Sequence, residues 1–298
     1  MEESLNLKIM SLVPGFRYSS VAAPGPVDIP GERLSIDVTR QIPRRPAGAK
    51  LRGGVSYRAG LRLELHTPAG GGRCPLVVYL PGGGFVVARR TMGRRERAFI
   101  AASGYAVASV EYRTTRQRAT YADALADIQA ATDYLIGHAD EYGIEPARLA
   151  VWGESAGGYL ASLVGLTDPR VRAVIDQFGA SDLARVAEGF DPRMQAALAD
   201  PRHPINRYRA ADANPIDLIR PGAPAFLLLH GDDDRIIPPA QTLRLHQALR
   251  AADVDSTHYL LAGAGHGRLS RNRQQARQWT SIQVMTLIQR FLDDHLRG

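Results

Sequence analysis

Ser155 sits in Gly153-Glu154-Ser155-Ala156-Gly157, a G-x-S-x-G element. A short apolar run, 149–152, precedes it, and a helix-like stretch, 159–166, follows. A serine between strand and helix must occupy a tight turn. Small residues on either side let the backbone close without a clash. Such a turn pushes the hydroxyl out of the sheet edge, at the N-terminus of a helix whose dipole favours negative charge. A serine hydroxyl is a weak nucleophile unless a base takes its proton, and histidine titrates near neutrality. His266, in Gly263-Ala264-Gly265-His266-Gly267, follows the last strand-like run. A carboxylate would fix the tautomer of that base and stabilise its imidazolium form. His230-Gly231-Asp232-Asp233-Asp234 offers three candidates after another such run, and the chemistry alone does not choose among them. Asp182 is a competing acid, better suited to capping the segment that it opens. His230 and His258 read as structural, while His203 and His246 lie in polar surroundings that suggest no metal cluster.

Pro81-Gly82-Gly83-Gly84-Phe85 follows the run 75–80. Consecutive glycines let backbone N–H groups turn toward a bound oxygen. The tetrahedral intermediate of acyl transfer carries a negative charge on such an oxygen, and each preorganised donor is worth roughly 3 kcal/mol there. The expected donors are the amides of Gly83, Gly84 and Ala156. Phe85, Val86 and Val87 are expected to line an acyl pocket.

These groups need a scaffold that brings distant loops to one edge. Short apolar runs at 75–80, 105–110, 149–152, 171–175, 225–229 and 258–262 fit strands buried on both faces of a parallel sheet. Alternation at 34–39 and 61–65 adds two further strands. Helical periodicity marks 121–136, 239–251 and a C-terminal segment from Trp279 to Leu292. Strands alternating with helices predict a doubly wound α/β fold. Residues 51–182 and 223–298 form its expected core. Residues 183–222, with five prolines, are too long for an ordinary connection and are expected to be a cap or lid. Residues 1–50 are expected to be an N-terminal extension that adds to this cap.

Composition excludes several classes. The chain has 298 residues, 45% of them hydrophobic and 22% charged, a balance that argues against long-range disorder. No apolar run is long enough to span a membrane. Glu2 and Glu3 and the absence of an apolar leader suggest a cytoplasmic protein or a trimmed mature form. Cys74 is the only cysteine, so an intrachain disulfide is impossible. The net charge of +7 comes almost wholly from arginine, since Lys8 and Lys50 are the only lysines. Arg89, Arg90, Arg94, Arg95 and Arg97 form one cluster, read as a solvated face or as a device that steers acidic substrates. No nucleic-acid-binding signature accompanies it.

Taken together, the motifs resemble those of the α/β-hydrolase superfamily. They are most similar to the esterase/lipase branch with a His-Gly-Gly-Gly loop, which contains the hormone-sensitive lipase-like carboxylesterases. The resemblance covers residues from about 55 to the end. It implies a mostly parallel eight-stranded sheet and a small cap. It selects Asp234 as the acid, the fourth residue after His230, beside Ser155 as nucleophile and His266 as base. It implies hydrolysis of small or medium carboxylic esters with no metal or organic cofactor. An acyltransferase or cyclase would carry the same triad, and a non-catalytic receptor could share the fold. The expected partner is a small ester or acyl substrate, and the sheet edges could also support a homodimer. Two departures from the branch are Pro81, where the loop usually has histidine, and Arg268, where an aromatic residue is common.

Overall fold

A computed structural model describes residues 32–188, 195–196, 199–208 and 213–298. Parts of the expected cap, 189–194, 197–198 and 209–212, and the extension before residue 32 therefore lie outside the described residues.

Nine strands form one sheet: β1 (Glu32–Leu34), β2 (Ala49–Arg58), β3 (Leu61–Pro68), β4 (Cys74–Leu80), β5 (Ala106–Val110), β6 (Ile144–Glu154), β7 (Val171–Gln177), β8 (Ala225–Gly231) and β9 (Ser256–Leu261). Their spatial order is β1-β9-β8-β7-β6-β4-β5-β3-β2. Every adjacent pair from β5 across to β1 is parallel, and β3 and β2 are antiparallel. The eight expected strands are thus present, the one at 34–39 only as the short edge strand β1, with one further edge strand, β2.

Two apolar layers cover the sheet. Along β4, Leu76, Val78 and Leu80 face one layer while Val77 and Tyr79 face the other. This two-sided burial explains why the central strands read as unbroken apolar runs. Helices α2 (Tyr121–Gly137), α4 (Ala156–Thr167) and α5 (Ala240–Ala251) close the first layer through Ile128, Leu160 and Leu245. Helices α1 (Arg94–Ala102) and α7 (Ile282–Leu296) close the second through Ile100, Met285 and Ile288. Two short helices, α3 (Ala139–Tyr142) and α6 (Arg273–Gln278), complete the set used here. Local signals set the helix starts. Thr120 and Asp123 form a capping box at α2, and the Ser281 hydroxyl accepts the N–H of Val284 at α7.

Three expectations need correction. The strand expected at 34–39 ends at Leu34, because the Asp37 carboxylate accepts the N–H and hydroxyl of Thr39 and turns the chain. Strand β2 was not foreseen; it is a largely exposed edge with a register shift between Arg52 and Val55, around Gly53-Gly54. The arginine cluster is not simply a solvated face. Arg97 is fully buried, donating to Glu64 and to the carbonyls of Arg90 and Met92. Arg94 also pairs with Glu64. No helix among the described residues is long and apolar enough to cross a membrane.

Candidate active site

The β6–α4 turn places Ser155 at φ 56° and ψ −121°, a positive φ that L-residues rarely adopt. The flanking glycines make this turn possible. A methyl group on Gly153 would stand 2.0 Å from the carbonyl oxygen of Gly157, and one on Gly157 would stand 2.0 Å from that of Leu80. The Ser155 N–H donates to the Gln177 carbonyl of β7 at 2.9 Å, which anchors the turn to the neighbouring strand.

His266 follows β9 and reaches Ser155 across the sheet edge. Its Nε2 lies 2.8 Å from Ser155 Oγ, and its Nδ1 lies 2.6 Å from Asp234 Oδ2. Both His266 and Asp234 are buried. The other Asp234 oxygen, Oδ1, accepts the N–H groups of Ile236 (2.8 Å) and Ile237 (3.0 Å). Burial alone would raise the Asp234 carboxyl, but its interactions with His266 and His230 outweigh burial and hold it well below the usual carboxylate range. Phe178, at φ 47°, packs its ring against His266 with centroids 4.7 Å apart.

The three aspartates now separate by partner. Asp232 accepts the N–H of Gly263, and Asp233 accepts from Arg235 and Gln275. Only Asp234 among them meets His266. Asp182 accepts the N–H groups of Ala184 and Arg185, the capping role expected of it. His230 is buried between Thr242 Oγ1 at 2.8 Å and the Ile237 carbonyl at 3.0 Å, with Asp234 Oδ2 3.3 Å away.

Gly82, Gly83 and Gly84 line a cleft with Ser155, and Ala156 follows at the first turn of α4. Gly83 has φ 153°, and a methyl group there would stand 2.1 Å from the Val87 carbonyl oxygen. The loop is braced without its histidine. The Tyr112 hydroxyl donates to the Pro81 carbonyl at 2.6 Å, and Thr114 Oγ1 donates to that of Val86 at 2.9 Å. The backbone N–H and hydroxyl of Thr115 both donate to the Phe85 carbonyl.

The cleft encloses about 540 Å³, including its open mouth. Of the three residues expected to line an acyl pocket, only Val87 lines this cleft. Phe85 and Val86 are buried elsewhere. Gly84 and Phe85 both take φ 60°, and the Phe85 ring packs on Tyr208 and Tyr159 instead. Met92, Phe178 and Leu269 line the cleft without having been singled out. No sequence pattern marks them, because separate loops bring them together.

Comparison with known proteins fits this geometry. The chain is 31% identical over 217 residues to Esterase LipC of Mycobacterium tuberculosis, covering 65% of this chain and 53% of the relative. It is 28% identical over 257 residues to Esterase LipQ of the same organism, covering 78% and 57%. The chain thus spans about half the length of these curated relatives. Among solved structures, an inhibited esterase B from Lactobacillus rhamnosis superposes with a TM-score of 0.72 at 21% identity, covering 85% of this chain and 89% of that one. That likeness is one of fold, the α/β-hydrolase sheet flanked by helices. The BD-FAE family model matches residues 63–249, more than half of the sequence. On that match the chain belongs to the BD-FAE family.

Proposed function

We propose that the protein is a serine carboxylesterase acting on small or medium acyl esters. The observation that carries this reading is the continuous line from Ser155 Oγ through His266 to Asp234, at 2.8 and 2.6 Å. In the first step His266 Nε2 takes the Ser155 proton as Oγ attacks the ester carbonyl. The amides of Gly83, Gly84 and Ala156 receive the resulting oxyanion. His266 then gives the proton to the leaving alcohol. Water repeats the sequence on the acyl-enzyme and releases the acid. Asp234 holds the imidazole with Nε2 facing serine and stabilises its charged form.

We also propose residues 183–222 as a small cap, a reading supported by contacts of its described part beside the site. Tyr208 within it packs 4.3 Å from the Phe85 ring, and Ala213 accepts the Tyr159 hydroxyl. Tyr208 and Ala213 thus contact the glycine loop and α4.

The test uses p-nitrophenyl esters of increasing acyl length with wild type and Ser155→Ala. Intact-protein mass spectrometry follows the acyl adduct. Serine-dependent turnover with a transient adduct is the expected result. An adduct that persists in water would replace hydrolysis by acyl transfer to another acceptor. Equal turnover by Ser155→Ala would remove the assignment altogether.

A further inference from the structure

A second cleft lies beside the Ser155 site, about 1810 Å³ including its open mouth. Arg44, Arg94, Arg95, Arg268, Arg273 and Arg277 line it, and Glu96 is the one acidic residue in that lining among the described residues. These arginines are not a local charge run. Arg44 comes from the segment before β2, Arg94 and Arg95 from α1, Arg268 from the turn after His266, and Arg273 and Arg277 from α6. Four separate parts of the chain bring arginines to the lining of one hollow, where Arg94 is paired with Glu64 and Arg95 donates to the Pro43 carbonyl.

The arginine charges also act on one another. The Arg95 guanidinium is pushed below its ordinary pKa, first by burial and then by the charges of Arg44, Arg268 and Arg277, with Glu96 opposing. Glu96 Oε1 forms an ion pair with Arg268 Nη2 at 3.6 Å, one carboxylate among six arginines of the lining. An added oxyanion would offset this repulsion. The planar guanidinium fork also matches a carboxylate or phosphate.

Arg268 belongs to both clefts, lining the Ser155 site as well. A narrow hollow bordered by Glu96, Glu154, Phe178 and Arg268 shares lining residues with both. The arginine hollow therefore adjoins the reaction site rather than lying apart from it. We propose that it binds an oxyanion carried on the distal arm of the ester substrate, with Arg268 as the specificity-determining residue where the arm leaves Ser155. The preference for an anionic ester rests on the esterase reading above; anion binding in the cleft does not. A concave site that shares Arg268 with the Ser155 cleft favours a small anionic substrate over a polymeric polyanion.

The test compares two esters that differ in one methyl group. These are the mono-p-nitrophenyl ester of octanedioate, with a free distal carboxylate, and its methyl-capped form. Wild type and the double variant Arg44→Gln/Arg277→Gln are assayed at low and high salt. Thermal melting checks that the variant folds. The free acid should be preferred in kcat/KM by about tenfold in wild type at low salt. That ratio should fall toward one at high salt and in the variant, with the methyl-capped rate unchanged. A wild-type ratio of one, or a ratio indifferent to the variant, overturns the proposal. Calorimetry on the Ser155→Ala protein supplies a readout without turnover. Octanedioate and inorganic phosphate are titrated separately, which distinguishes a carboxylate from a phosphate site. Saturable binding lost on adding Arg44→Gln/Arg277→Gln supports the cleft even if neither ester is hydrolysed, in which case the esterase reading alone fails. Binding of heparin without binding of either small anion would reassign the cleft to a macromolecular partner and overturn the proposal.

Discussion

Asp234 divides its two oxygens between two tasks: Oδ2 meets His266 Nδ1 at 2.6 Å, while Oδ1 is held by the N–H groups of Ile236 and Ile237. The carboxylate cannot swing without giving up two backbone bonds. Its orientation therefore fixes that of the imidazole, and so the distance to Ser155.

This arrangement predicts the behaviour of Asp234→Asn. An amide can keep the backbone bonds but can present NH2 to His266 Nδ1, which favours the wrong tautomer at Nε2. The expected result is a loss of roughly 10³–10⁴-fold in kcat with KM little changed. Asp182→Asn, which alters only a turn cap, should stay within about twofold of wild type. Steady-state kinetics on p-nitrophenyl butyrate decide this. A larger loss from Asp182→Asn than from Asp234→Asn would overturn the choice of acid.

Tyr112→Phe tests how the glycine loop is supported with proline at position 81. The Tyr112 hydroxyl is buried and donates to the Pro81 carbonyl, immediately before the expected oxyanion amides. Its removal leaves that carbonyl unsatisfied, at a cost of about 1–3 kcal/mol. The loop should also lose its register, lowering kcat by about tenfold with a smaller change in KM. Tyr105→Phe is the control. Its hydroxyl donates to Asp293 at the same 2.6 Å, near the C-terminal helix. A comparable fall in Tm with unchanged kcat is expected there. Equal kcat losses in the two variants would mean that Tyr112 acts through global stability only.

The legible parts of this fold were those whose signal is local. Two-sided burial writes itself into the sequence as runs such as Leu76–Leu80, and the strand–turn–helix context identified Ser155. The choice of Asp234 over Asp232 and Asp233 was illegible to local chemistry. Each of the three is defined by a partner some 30 or more residues away or by its own turn, so only the family motif separated them. Arg97 was hidden for a related reason. A buried guanidinium looks like any surface arginine until β3 delivers Glu64 against it. Strand β2 lacked a signal because an exposed edge needs no apolar alternation and carries Lys50, Arg52 and Arg58 instead. Phe85 misled because an aromatic beside a glycine loop suggests a pocket, whereas the positive φ at Gly84 and Phe85 accompanies its packing in the core.

Glu154 yields a prediction in pH. It occupies the variable position of the serine turn and lines the cleft. Burial pushes its carboxyl up to about 7, and Glu96 adds to the shift while Arg268 opposes it. The folded protein thus holds this proton more tightly than the unfolded chain does. The resulting stability is fully present below the ordinary carboxyl pKa of about 4.5 and is lost as pH rises through about 7. The shift corresponds to at most about 3 kcal/mol. Glu154→Gln cannot ionise, so its Tm should decline less than that of wild type between about pH 5 and 8. The variant should match wild type near pH 5 and exceed it near pH 8. Arg268→Gln should move the wild-type decline in the other sense along the axis. Loss of the opposing charge raises the Glu154 carboxyl further, so the carboxyl titrates at higher pH. Scanning calorimetry across this range provides the check. Parallel Tm curves for wild type and Glu154→Gln would show that Glu154 keeps an ordinary carboxyl pKa in the folded protein.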